Sequence, residues 1–270
     1  SLKSLTFSKN YFYTNDMKSM FYNCQSLTSI NLFHIKTNTE INVSRLFYNC
    51  NKLNSIKGDF YDFRVFDVRE MFYNCTSLKN YINNNDYQYN YLNFYINNNN
   101  NNIQVNMSNM FYNCKDLTEV RLSRRNYYSN IYPSDFHSMF YNCISLTSVY
   151  FSYFYIDYTQ DMSYMFYNCK QLQFFNRYNF YIYSTLNVVY RTMKGMFQNC
   201  ESLKSLYLNE NFNTINVDNM WDMFKGCSKL QILKVDNPKY FNTSQVTDMQ
   251  SMFEGCSSLV SLNISSFNTT

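Results

Sequence analysis

No stretch of this 270-residue chain approaches the 18 or so consecutive apolar residues that a membrane-spanning helix needs, and Ser1 opens no charged-then-apolar leader. Neither direct membrane insertion nor a secretory address can be read from it. No basic block exceeds the pair Arg124-Arg125, so the formal charge of +4 forms no stripe that tracks a phosphate backbone, and nucleic acid is not the expected partner. The two histidines, His34 and His137, stand far apart, and there is no glycine-rich phosphate loop, no nucleophile elbow and no carboxylate pair repeated at a strand end. The chain therefore reads as no enzyme, with no cofactor. Alanine is absent and glycine (4) and proline (2) are scarce, while Asn, Tyr, Phe, Lys and Ile abound. We read that skew as AT-rich coding, without functional meaning.

What is present is a core and a period. The apolar fraction of 46% with 16% charged residues is ordinary for a chain that buries a core, and 28 Tyr and 25 Phe supply much of it. Cysteines fall at 24, 50, 75, 114, 143, 169, 200, 227 and 256, so one unit is about 26 residues. Three residues before each cysteine stands Phe (Phe21, Phe47, Phe72, Phe111, Phe140, Phe166, Phe197, Phe224, Phe253), preceded by Met everywhere except Leu46. Seven before it stands another apolar residue, such as Met17, Val68 or Phe136. Apolar residues at i, i+3 and i+4 predict one face of a short helix.

Eight before each cysteine sits Asp16, Asn42, Asp67, Asn106, Asp135, Asp161, Thr192, Asn219 or Asp248, each able to accept a bond from an orphan amide of a first turn. Immediately before the cysteine comes Asn in seven units, then Gly226 and Gly255, residues that tolerate the left-handed conformation past a helix end. Beyond the cysteine the period changes to L-x-x-L-x-L: Leu recurs three residues on in all nine units, followed by apolar residues such as Ile30, Val120 and Leu206. Gly58, Asn83 and Arg177 break the last position. That is the short strand of a leucine-rich repeat. The expected fold is α/β, a leucine-rich-repeat solenoid of about nine units over residues 1–270, each a short helix then a short strand, with a parallel sheet on the concave face.

The unit resembles the BspA-like leucine-rich repeats, in the variant common in mycoplasma-type surface lipoproteins and some protists. FNTSQVTDMQSMFEGCSSLVSLNI (241–264) and DMSYMFYNCKQL (161–172) carry the resemblance most closely. It implies adhesion or interaction at a cell surface; a cytoplasmic location stays open. The connecting segments are longer and richer in Tyr and Asn than the family pattern.

A cysteine between helix and strand has little space and behaves as a compact buried hydrophobe. No C-x-x-C pair or nearby His supplies a metal site. Stacked units would bring equivalent thiols into one column of parallel side chains, which disfavours bridges between neighbouring rungs without removing them as an alternative. No base or cation is fixed beside any thiol to make it a nucleophile. The segment 81–102, YINNNDYQYNYLNFYINNNNNN, reads as an inserted loop, its Asn97 to Asn102 run a mobile surface loop and its aromatics a candidate contact. N-x-S/T at Asn42, Asn74, Asn106, Asn242, Asn263 and Asn268 is what chance gives in so Asn-rich a chain.

No unit buries enough to stand alone, so stability comes from stacking. Strands at both termini carry no polar cap, which predicts an excerpt of a longer protein. The outward column seven after the cysteine varies (Asn31, Lys57, Ile82, Arg121, Tyr150, Asn176, Tyr207, Lys234, Asn263), while the column two before it is mostly small but includes Phe174. Lys57, Arg121, Tyr150, Phe174, Tyr207 and Lys234 are the candidate contacts for a protein or surface-glycan partner. The competing reading is a structural spacer or self-associating coat.

Overall fold

The computed structural model describes residues 2–6, 12–32, 35–36, 40–57, 64–79, 92–96, 104–124, 132–152, 154–156, 159–176, 180–181, 191–208, 212, 214–235, 241–262 and 267. They wind as a parallel β-solenoid. On one side the leucine strands pair in three runs: Ser4–Thr6, Ser29–Asn31 and Ser55–Lys57; Leu92–Ile96, Glu119–Arg124, Ser148–Ser152 and Phe174–Asn176; Ser205–Leu208, Ile232–Val235 and Ser261–Leu262. Equivalent residues stand opposite one another, as Leu5, Ile30 and Ile56 do, or Leu206, Leu233 and Leu262. An inward side chain of one coil therefore always meets an inward side chain of the next.

The segment around Tyr81, where the sequence of the third unit put a strand residue, lies outside the described residues. The strand that pairs with Glu119–Arg124 on that side is Leu92–Ile96, with Leu92 and Phe94 opposite Val120 and Leu122. Five residues of the Asn/Tyr-rich insertion thus belong to the sheet, and Asn97 to Asn102 lie outside the described residues.

The expected helix is absent among the described residues. In its place each unit makes overlapping four-residue turns. In the first, the amides of Met20, Tyr22 and Cys24 donate to the carbonyls of Met17, Ser19 and Phe21, three residues back, at 3.0–3.2 Å. The intervening amides of Met17, Ser19, Phe21 and Asn23 instead donate to Asn42, Ser44, Leu46 and Tyr48 of the next coil, at 2.7–3.1 Å. Such alternation needs left-handed backbone twice per coil, at Ser19 (φ 56°) and Asn23 (φ 61°), and the same two positions are left-handed in later coils. A residue with φ near +60° ends an α-helix on the spot. The Met-x-x-Met-Phe spacing is satisfied all the same, because the turns aim those side chains inward: Met107, Met110 and Phe111 are fully buried.

The residues read as helix caps keep their chemistry in the new geometry. Each of the nine accepts a bond from the backbone amide two residues on, from Asp16 Oδ1 with Lys18 N (2.8 Å) to Asp248 Oδ1 with Gln250 N (3.0 Å). These are Asx-type turns. The same residues form a second parallel ladder, unbroken from Asn42 through Asp67, Asn106, Asp135, Asp161, Thr192 and Asn219 to Asp248.

Rows of identical side chains fill the interior. The nine Phe rings from Phe21 to Phe253 stack face to face at 5.3–5.7 Å. Asn168, Asn142, Asn113, Asn74 and Asn49 form a chain in which each side-chain amide from Asn168 to Asn74 donates to the side-chain oxygen of the Asn in the preceding coil. All nine cysteines are free. Cys50 to Cys227 are fully buried, and each thiol from Cys50 to Cys256 donates to the Phe carbonyl of the preceding coil, at 3.0–3.2 Å. That carbonyl also takes the amide of its own coil's cysteine, as Phe21 O takes Cys24 N, so both of its lone pairs are used. One small side chain that is apolar yet carries a donor is what the position requires, which is why a single cysteine recurs and never a pair.

Two outcomes follow from this geometry. At Asn109 (φ 54°) the Gly variant should be more stable than the Ala variant by about 1–2 kcal/mol, read as urea midpoints at constant slope; a helix there would favour Ala by roughly 0.5–1 kcal/mol. Burial pushes Cys50 and Cys143 up to about 12 from the ordinary 9. A thiol reagent at neutral pH should therefore leave Cys50 to Cys227 unmodified until the chain unfolds. Because the folded thiols hold their protons, their contribution to stability is intact below about pH 9 and is lost as pH climbs toward about 12.

Candidate functional site

The strand face presents the variable column between fixed rows. Val120, Leu122, Val149 and Phe151 are fully buried, while Arg121 and Tyr150 lie in register on adjacent strands with their side chains outward. The Arg121 guanidinium sits 4.7 Å from the Tyr150 ring centre, and its Nε donates to Glu119 Oε1 at 3.0 Å. Glu119 holds the guanidinium from one side and the ring from the other, so the pair is oriented before any partner arrives.

The other predicted contacts are spread along the array. Tyr207 is in register with Lys234, and Lys234 is exposed. Lys57 is exposed beside Asn31, in a different strand run from Arg121. Phe174 belongs to the column of Glu119 and Ser148, one position off that of Tyr150. The side chains of Phe174 and Tyr207 lie outside the described residues. Arg121 with Tyr150 is thus the pair the fold brings together. One shallow, open hollow of about 270 Å³ lies at the start of the neighbouring strands, lined by Lys79, Asp116, Thr118 and Ser145. Such a hollow does not enclose a small molecule as an apolar cleft does. Among the described residues no group of three or more His, Cys, Asp or Glu is placed to hold a metal ion, and no helix is long and apolar enough to cross a membrane.

The turn face carries a row that the core pattern passes over. Two residues before the cysteine, Tyr22, Tyr48, Tyr73, Tyr112, Tyr141 and Tyr167 stack at 4.4–4.8 Å with planes within 11°. Tyr22 at the end is 49% exposed and the rest are half-buried. Burial, then the neighbouring phenols, pushes Tyr73 and Tyr141 up to about 12. The signal is plain in the sequence, since this Tyr is as regular as the Phe beside it through six units. On a helix, however, that position turns away from its counterparts, and only coils set one strand spacing apart bring the rings together. The row ends where Gln198, Lys225 and Glu254 take the position, with Lys225 Nζ 3.0 Å from Glu254 Oε2.

The family described as a Mycoplasma protein of unknown function, DUF285, matches residues 10–104, 85–191 and 191–270. Solved structures similar to the chain include a leucine-rich repeat protein from Bacteroides ovatus, 18% identical over 96% of this chain and 74% of that one, with a TM-score of 0.28. A leucine rich cell surface protein from Faecalibacterium prausnitzii is 18% identical over 96% and 78%, with a TM-score of 0.28. A leucine-rich repeat protein from Eubacterium ventriosum is 13% identical over 96% and 92%, with a TM-score of 0.26. No curated protein matches. With that family matching nearly the whole chain, the chain belongs to the Mycoplasma family of unknown function DUF285.

Proposed function

We propose that this chain, taken as nine coils of one solenoid, is a non-catalytic interaction or adhesion module of a cell surface that holds a protein or surface glycan against its strand face. The observation that carries the reading is the contrast between columns: Arg121 and Tyr150 stand outward between residues that are fully buried and nearly invariant in type from coil to coil. Exchanging an outward residue on such a scaffold alters recognition without altering packing. Arg and Tyr are also the residue types that dominate binding energy at protein interfaces. Tyr207 and Lys234, adjacent in register, extend the surface toward one end; Phe174 and Lys57 belong to the same proposal.

A second reading, a spacer or coat built by self-association, is favoured by the tyrosine row. Its 4.4–4.8 Å period equals the strand spacing, so a second copy laid alongside would match it ring for ring.

The two readings separate in solution. Screened against immobilised proteins and glycans, the wild-type chain should capture one class of ligand, and Arg121→Ser or Tyr150→Ser should each weaken that capture roughly tenfold with an unchanged melting temperature. Tyr73→Ser, on the turn face, should leave capture intact. Capture indifferent to Arg121 and Tyr150 but lost with Tyr73 would overturn the strand-face reading, and a monodisperse monomer at high concentration in sedimentation would remove the coat.

A further inference from the structure

Six residues before each cysteine stands the residue whose amide bonds its own coil's Asx side chain. Seven of the eight other units place Lys18, Ser44, Arg69, Ser108, Ser163, Lys194 or Gln250 there and one places Trp221, whereas the coil of Cys143 places His137. The ring reaches across the gap between coils. Its Nδ1 lies 2.8 Å from Ser163 Oγ and 3.6 Å from Asp161 Oδ2, and its Nε2 lies 3.3 Å from Ser138 Oγ in its own coil. Ser163 Oγ donates to Asp161 Oδ1 at 2.5 Å, and the Ser163 amide donates to the same oxygen at 2.7 Å. With its one proton committed to Asp161, Ser163 Oγ accepts from Nδ1–H.

Ser138, His137 and Asp161 are the residue types of a hydrolase relay, but Ser138 is 4% exposed and its amide is tied to Ser163 O at 2.9 Å. A substrate carbonyl has no approach to that hydroxyl, so the cluster is not a nucleophile site. What it does hold is a titratable ring against the Asp161 carboxylate, with the Asp135 carboxylate of its own coil nearby. Asp135 accepts the His137 amide at 2.7 Å and is bridged to Asp161 in the Asx ladder. From the preceding coil Ser108 and Asn106 face Asp135. From the following coil Asp161 and Ser163 face the ring, with Tyr164 edge-on at 6.3 Å and Lys194 beyond it, 5.8 Å from the Tyr164 ring.

We propose that His137 is a proton-operated clasp: protonated, it binds the coil of Cys143 to the coil of Cys169 through Asp161 and Ser163, and on losing its proton it lets that one junction in the array loosen. A cation beside Asp161 and near Asp135 offsets the repulsion of these two carboxylates on neighbouring rungs of the ladder, and a neutral ring does not. In line with that geometry, the Asp161 carboxylate 3.6 Å from Nδ1 outweighs burial and holds His137 above the ordinary 6.5. Burial by itself would push Asp161 up, but the nearby His137 ring and the bonds from Ser163 hold it below the usual carboxylate range. The sign is fixed by the raised value: the stabilisation is complete below about pH 6.5 and is lost as pH rises through the folded value of His137.

The experiment is thermal unfolding of the full chain from pH 5.5 to 8.5, alone and as His137→Asn, Asp161→Asn and His34→Asn. Wild type and His34→Asn should show a melting temperature that falls over the upper part of this range, and His137→Asn and Asp161→Asn should lose that slope. Where a variant fails to fold, the imidazole carbon shifts of the wild-type chain read the same quantity directly, with His34→Asn assigning the signals. A His137 midpoint at or below 6.5 would overturn the clasp, as would a slope that survives His137→Asn or disappears with His34→Asn. Hydrogen exchange localises the effect: at pH 8 the Ser138 amide, which donates to Ser163 O, should be less protected than the equivalent Asn109 amide, which donates to His137 O. Equal protection would sink the localisation to this junction.

Discussion

Alternate backbone amides on the turn face are donated to the next coil rather than within the unit, and the rest of the molecule depends on that exchange. An amide satisfied inside a helix would make each unit self-contained and leave its neighbours to pack by side chains alone. Here every second amide from Met17 to Asn23, and its equivalents in later coils, fastens one coil to the next. The left-handed residues that permit this cost about 1–2 kcal/mol apiece where they carry a side chain. Buried peptide groups left unpaired would cost comparable amounts, so the strained backbone and the inter-coil bonds persist together. The Phe stack, the Asn chain and the thiols bonded to Phe carbonyls all require coils held at one spacing, which these bonds impose.

That arrangement also explains how much could be read beforehand. The repeat, its centre at Phe and Cys, the buried leucines, the Asx acceptors and the left-handed Asn or Gly before the cysteine were all legible, because each has a residue type fixed by chemistry. The helix was misread because its disproof sits at a position without a signature. Ser19, Arg45, Glu70, Ser138, Tyr164 and Ser251 are all left-handed, and none is a residue that announces it. The apolar spacing fits both a helix and the turns, and only hydrogen bonds to another coil, which sequence spacing does not contain, decide between them. Arg191 is a further case: 1% exposed, it stands opposite Val217 where an aliphatic residue is the rule, its Nε bonded to Thr159 O.

The candidate surface was legible in part. Arg121 and Tyr150 were read as outward residues of one column, and they are adjacent and in contact. That Glu119 would hold Arg121 was not readable, since on a strand it is simply the next outward residue two positions back. The tyrosine row was available but uninterpretable without the coil spacing. The His137 cluster needed the register of the Asx ladder before its two carboxylates could be seen as neighbours.

The inter-coil bonds from alternate turn-face amides, such as those of Met17, Ser19, Phe21 and Asn23, all run one way, from each coil toward the one that follows it. Summed over the array, these bonds give the turn face an electrical polarity along the solenoid axis. The sense is opposite to that of an α-helix, whose amino end is the positive one. A further coil that continues this pattern of turn-face bonds docks head to tail, its carbonyls meeting the forward-running amides.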